Sequence, residues 1–203
     1  MAGLRLRLLG VGAMASPRYA PAGLLAVAPS GSVMFDGGLT AVSDESAGRV
    51  RAWLVTDLRA ELIADIRRSA SALGLRPEAA SYTAADFAVE PHPVEHTSHE
   101  TWGYRLRSEG RTAVWAPEFW RFPEWAAGAD LMFADAAGWS RPIRFRGGVG
   151  GHAAASDTAA AARAAGVRRL VFAHLGRPAI RALDAGQLPA FGEIGREGRD
   201  YLL

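Results

Sequence analysis

Cysteine is absent from the chain, which excludes a disulfide framework, a thiolate zinc site, an iron–sulfur cluster and a cysteine nucleophile. Any metal ion would have to be held by His, Asp or Glu. Lysine is absent as well: all 23 basic residues are arginine, against 21 acidic ones, for a net charge of +2. So small an excess gives a polyanion little to hold, and a nucleic-acid partner is not expected. No apolar run approaches the ~20 residues that a membrane span requires. The leucines of residues 4–9 alternate with Arg5 and Arg7, so a soluble, cytoplasmic protein with no membrane partner is the expectation.

What is present suits a globular protein. Hydrophobic residues make up 49% of the 203 and charged residues 22%, enough apolar material to bury a core and too much for a disordered chain. The length predicts one domain over residues 1–203, undivided by repeat, low-complexity tract or linker.

The period-two alternation of Leu4 to Leu8 predicts a strand, and residues 23–27 and 33–35 flank a turn at Pro29-Ser30-Gly31-Ser32. Residues 52–55 read as a strand feeding a helix, with Leu58, Leu62, Ile63, Ile66 and Leu73 at helical spacing up to Gly74. Residues 87–94 are extended by their prolines, and residues 102–106 and 111–115 form a hairpin around Glu109-Gly110. Residues 131–134 read as a buried strand, followed by a Gly- and Arg-rich loop from Gly138 to Gly151. Ser156 is the expected cap of an alanine-rich helix ending at Gly166; a strand over residues 167–173 and a short helical piece after Pro178 complete the chain.

Four of these strands finish on a titratable side chain: Asp57, Glu118, Asp135 and His174. Ligands of open α/β sheets bind beyond the carboxyl ends of strands, so these residues mark a candidate site. His96 and His152 lie on loops within reach of the same edge.

Further phrases carry a family pattern. They are Leu9-Gly10-Val11-Gly12-Ala13, Ser16-Pro17-Arg18 and Phe35-Asp36-Gly37-Gly38; then Val94-Glu95-His96 with Gly103-Tyr104-Arg105-Leu106 and Gly110-Arg111; then Gly151-His152 and the run from Gly166 to Leu175. In order and spacing, over almost the whole chain, they resemble the metallo-β-lactamase fold, in particular its phosphodiesterase and transfer-RNA-processing branches. The resemblance implies an α+β, four-layer αββα sandwich.

It also implies a site. Where the family reads T-H-x-H-x-D-H, this chain reads Thr56-Asp57-Leu58-Arg59-Ala60-Glu61-Leu62, so that Asp57, Arg59, Glu61 and Leu62 stand at the ligand positions. Glu118 stands where a bridging acid belongs, and His96 and His174 are in register. The implied ligands are Asp57, His96 and Glu118 at one metal position and Glu61, Glu118 and His174 at the other. Arg59 would repel a divalent ion, which favours one ion over two. Oxygen donors with one or two imidazoles suit Mn²⁺, Mg²⁺ or Fe²⁺ at least as well as Zn²⁺. His152 and His99 are the proton carriers; Arg59, Asp135 and Arg144 support the site or touch substrate.

Each residue also has a structural reading. Asp57 suits a helix N-cap and Glu61 a first-turn acid; Arg59 could pair with Glu61, Glu118 or Asp135 in place of a metal. His99, three residues after His96 in an extended segment, would face the other way, as a loop residue or an outer donor. His92 reads as a surface strand residue. His152 could close its loop by a hydrogen bond, and His174 could do the same to a carbonyl. Asp135 either holds an imidazole from behind or caps the loop. Arg141, Arg144 and Arg146 form an anion clamp or a solvated face. Trp115, Phe119, Trp120, Phe122 and Trp125 line a pocket, fill the core or make a homodimer contact. Gly10-x-Gly12 lacks the third glycine and the following helix of a dinucleotide fingerprint.

The function expected is a hydrolase of a small phosphodiester or ester that uses a metal-activated water, with the arginine loop holding the anion. The alternative is a metal-free, catalytically inactive domain of the same fold, used for small-molecule binding or protein association. Both require Asp57, His96, Glu118 and His174 to meet at one rim.

Overall fold

The computed structural model describes residues 3–37 and 49–203; Gly38, the end of the Asp-Gly-Gly phrase, lies outside the described residues. Strands β1 (Arg5–Gly10), β2 (Gly23–Ala28), β3 (Gly31–Asp36) and β4 (Val50–Leu54) build the first sheet, followed by α1 (Ile63–Ala72) and β5 (Pro77–Glu78). Strands β6 (Tyr82–Thr83), β7 (Ala88–Pro93), β8 (Trp102–Ser108), β9 (Arg111–Ala116) and β10 (Leu131–Ala136) belong to the second. After them come a small hairpin, β11 (Ile143–Arg144) and β12 (Gly151–His152), then α2 (Ala155–Ala164), β13 (Leu170–Leu175), α3 (Arg177–Asp184), β14 (Glu193–Ile194) and β15 (Asp200–Leu202).

The strand order is β15-β1-β2-β3-β4-β5 in the six-stranded sheet and β14-β13-β10-β9-β8-β7-β6 in the seven-stranded one. Leu6 and Leu8 are buried, whereas Arg5 is exposed and Arg7 partly so, the latter bonding Asp200 of β15 across the sheet at 2.8 Å. The inner faces of both sheets form one core, in which Phe35 and Tyr104 meet edge to face at 5.3 Å. A second cluster, with Met34, Trp53 and Val55, lies against Ile66 and Ala70 of α1, while alanines of α2 and α3 join the main core beside the seven-stranded sheet. The layers are therefore helix, sheet, sheet, helices, the αββα arrangement expected.

Strands β9, β10 and β13 run parallel, so their carboxyl ends share an edge, as do those of the parallel pair β3 and β4. Between Phe172 and Leu175 the β13 ladder takes three steps against two on β10, from Ala134 to Ala136. This bulge holds His174 at φ +62°, a left-handed conformation that non-glycine residues rarely adopt. The Glu109-Gly110 hairpin forms with both residues at positive φ, 49° and 77°, as a two-residue turn requires.

Three local expectations need correction. The helix predicted from Leu58 begins only at Ile63; residues 58–62 are turns, because the Asp57 carboxylate accepts the Arg59 amide at 2.7 Å and closes the chain early. Ser156 is not a cap: α2 has Ala154 at that position, without a side-chain bond, and Ser156 lies inside the helix. The loop of residues 138–151 contains strand β11 and meets β12, pairing Ile143 with His152 and Arg144 with Gly151.

Candidate functional site

A cavity of about 610 Å³ opens where the carboxyl ends of both sheets converge. The loop after β1 supplies Gly12 to Ala15, the segment after β4 supplies residues from Thr56 to Leu62, and His174 and Arg177 come from β13 and α3. Gly10 and Gly12 serve backbone proximity: a Cβ on Gly10 would stand 2.0 Å from the Pro21 carbonyl oxygen. Leu175 donates to the Val11 carbonyl at 2.6 Å, and Ala13 to the Leu175 carbonyl at 3.1 Å, joining the two sheets at the rim.

Asp36, at the end of β3, is fixed from both sheets. Its carboxylate accepts the Thr56 amide at 2.7 Å and Trp115 Nε1 at 2.7 Å, and its carbonyl accepts Trp53 Nε1 at 2.9 Å. Burial pushes its acid up to about 6, against the opposing effect of these donors. Beside it, the Asp57 carboxylate accepts His99 Nε2 at 2.9 and 3.0 Å as well as the Arg59 amide.

Glu118, two residues beyond β9, lies between two imidazoles: its oxygens are 3.5 Å from His96 Nε2 and 3.4 Å from His174 Nδ1. Burial raises its acid to about 8, lowers His174 to about 3 and also lowers His96, so both imidazoles are neutral. His96 exchanges hydrogen bonds with Gly151: Nδ1 donates to the Gly151 carbonyl at 2.8 Å, and the Gly151 amide donates to the His96 carbonyl at 2.9 Å. The approach demands glycine. Gly150 and Gly151 have φ of +127° and +154°, and a Cβ would stand 2.0 Å from the His96 oxygen in the first case and 1.9 Å from the Ile143 oxygen in the second.

His152 occupies the middle of an imidazole row, with ring centroids 4.7 Å from His96 and 5.1 Å from His174. Its Nδ1 is 2.7 Å from Asp135 Oδ2. An ionised carboxylate can only accept, so Nδ1 carries the proton and Nε2 is left for other chemistry. Asp135 also accepts the Phe119 and Ala137 amides at 3.1 and 2.8 Å. Burial disfavours the His152 imidazolium, but the charge and hydrogen bond of Asp135 outweigh it and hold His152 above 6.5. Burial likewise opposes ionisation of Asp135, yet His152 keeps its acid below 3.8.

Asp57, Glu61, His96, Glu118, His152 and His174 all line the cavity, so residues far apart in the chain do meet. They do not form one ligand sphere. Arg59 and Leu62 offer no donor for a cation, Asp57 is engaged by His99, and Glu61 is exposed on a turn. Among the described residues no three His, Asp or Glu side chains surround a point as a metal ion requires. Among the described residues, the donor set so placed does not fit a divalent ion.

The supporting residues also differ from expectation. Arg59 is exposed at the cavity mouth and makes no ion pair with Glu61, Glu118 or Asp135 among the described residues. His99 is not on the cavity wall; the 96–99 segment is a series of bends rather than a strand, which turns His99 onto Asp57. Arg144 lies over the Trp120 ring, 5.5 Å from its centroid, outside the cavity lining. Trp115 and Phe119 are core, and Trp120 and Phe122 border a separate cavity of about 360 Å³. Asp36, Phe145 and Arg177 were not singled out for the site; Asp36 could have been found by the strand-end rule that marked Glu118.

A family model described as a beta-lactamase superfamily domain matches residues 42–175. Among solved structures, the metallo-beta-lactamase fold protein YhfI from Bacillus subtilis is 16% identical with a TM-score of 0.76, covering 98% of this chain and 99% of that one. A diphosphatase from the PhnP family is 17% identical, with a TM-score of 0.69 and coverage of 98% and 96%. Human tRNase Z, short form, is 13% identical, with a TM-score of 0.66 and coverage of 97% and 98%. At these identities the likeness is one of fold. No curated protein sequence matches the chain.

Proposed function

Because this chain belongs to the beta-lactamase superfamily, a hydrolase family of metallo-β-lactamase fold, we propose that it hydrolyses a small ester or phosphodiester with His152 as proton carrier. The observation that carries the reading is the 2.7 Å bond from His152 to Asp135 at the wall of a cavity large enough for a small molecule. The carboxylate-rich metal site implied by the sequence resemblance is not part of this reading, since among the described residues no three of its side chains surround a common point.

In an ester, neutral His152 takes a proton at Nε2 from a water whose oxygen bonds to the carbonyl carbon. The acyl carbon–oxygen bond then breaks, and Nε2 returns the proton to the departing alcohol. The products are a carboxylic acid and an alcohol. Asp135 keeps the ring in the tautomer that leaves Nε2 free and offsets the imidazolium formed in passing. His96 and His174 flank the ring and limit its rotation.

The test is turnover of p-nitrophenyl esters and bis(p-nitrophenyl) phosphate by the purified chain. His152→Ala is expected to lower kcat by at least about a hundredfold. Asp135→Asn should lower kcat and move the alkaline-rising limb of the rate profile to lower pH, because it removes the anion that raises His152. Unchanged turnover in His152→Ala would overturn the assignment. Arg59 and Leu62, at positions where the resemblance implies ligands, favour a second reading, a binding domain without catalysis, which predicts ligand-induced stabilisation and no turnover.

A further inference from the structure

We infer that the group cleaved is an uncharged acyl ester and that the same substrate carries an anionic tail, received at the cavity mouth by Arg59 and Arg177. The inference rests on reading the cavity as a hydrolytic site and narrows its substrate class. Charge along the cavity carries it. At the deep end stand Asp36, Asp57 and Glu118, with Asp135 behind His152. The imidazole that these acids face, His152, is already bonded to Asp135, and His99 to Asp57. A phosphodiester brings a negative charge on the very group to be cleaved and would meet carboxyl groups without free positive charge. A carbonyl ester enters neutral.

The mouth has the opposite character. Arg59, on the turn after Asp57, and Arg177, in the first turn of α3, both border the cavity with exposed side chains. Neither has a carboxylate partner among the described residues. Glu61 is the acid that shares this mouth, one against two. The lining also includes the apolar Met14, Leu62, Ile66, Ile143 and Phe145. A neutral ester, an apolar spacer and a terminal carboxylate or phosphate match the buried acids, the apolar lining and the exposed arginines.

The experiment compares p-nitrophenyl hexanoate, the mono-p-nitrophenyl ester of adipic acid and bis(p-nitrophenyl) phosphate. The adipate monoester is expected to exceed hexanoate in kcat/KM by about tenfold, through KM, with the phosphate diester slowest. The double variant Arg59→Gln, Arg177→Gln should bring the ratio of the two esters near one, while Arg163→Gln, on the exposed face of α2, preserves it. In parallel, N-methyl adipamate, which is not cleaved, should raise the melting temperature of the wild type and not of the double variant, and N-methyl hexanamide should raise neither. Equal kcat/KM for the two esters, or preference for the phosphate, would overturn the inference and leave hydrolysis standing. No turnover of any substrate, with the adipamate shift intact, would sink the hydrolytic reading and leave recognition of the tail.

Discussion

Residues at the cavity are coupled through protons as much as through shape. Glu118 illustrates the consequence for stability. Its acid lies at about 8 in the folded protein against 4.5 in the ordinary state, so between those values the folded chain holds a proton that the unfolded chain has released. Its contribution is complete below 4.5 and is lost as pH rises through about 8. Melting curves should therefore show a fall in stability across that window, and Glu118→Gln should lessen the fall; an identical slope in the variant would refute the placement of the proton. His99 offers a second measurement. Its removal in His99→Ala strips Asp57 of two contacts at 2.9 and 3.0 Å and should cost about 1–2 kcal/mol in urea unfolding. Asp57, Glu118 and His174 were legible because each follows a run of strand residues. The role of His99 was not, since spacing within a segment predicts direction only when the segment is regular, and residues 96–99 bend.

Elements fix the site by where they stop. Strand β13 carries His174 into the cavity by a bulge, and the early turn after β4 places Arg59 and Glu61 at the mouth instead of on a helix face. The hairpin of β11 and β12 matters most, because it brings both His152 and the glycines that clasp His96. Gly151→Ala combines a forbidden backbone angle with a clash against the Ile143 oxygen. It should destabilise by more than about 1 kcal/mol and depress activity together with stability, read by urea unfolding and initial rates. The long strands were readable from alternation and from the Glu109-Gly110 turn. This hairpin was not, since two-residue strands rich in glycine and arginine leave no period to detect. The helix start was misread for a related reason: apolar spacing continued upstream, but a local side-chain bond from Asp57 won.

For the whole molecule, the sandwich was legible from the order of strands and family phrases, whereas the electrostatic state of its cleft depended on distances across the two sheets. That no ligand set is assembled among the described residues has a direct expectation. Addition of Zn²⁺ or Mn²⁺ should leave the melting temperature unchanged within about 1 °C, and a chelator should leave turnover unchanged. A saturable upward shift would show that the cavity rearranges around an ion and would return the metal reading. Trp53 and Trp115 both donate their indole N–H to Asp36, one from each sheet. Any parting of the two layers must release the Trp115 indole from the Asp36 carboxylate into a wetter setting, so emission from this ring provides an intrinsic optical gauge of whether the cleft remains assembled as the protein is heated.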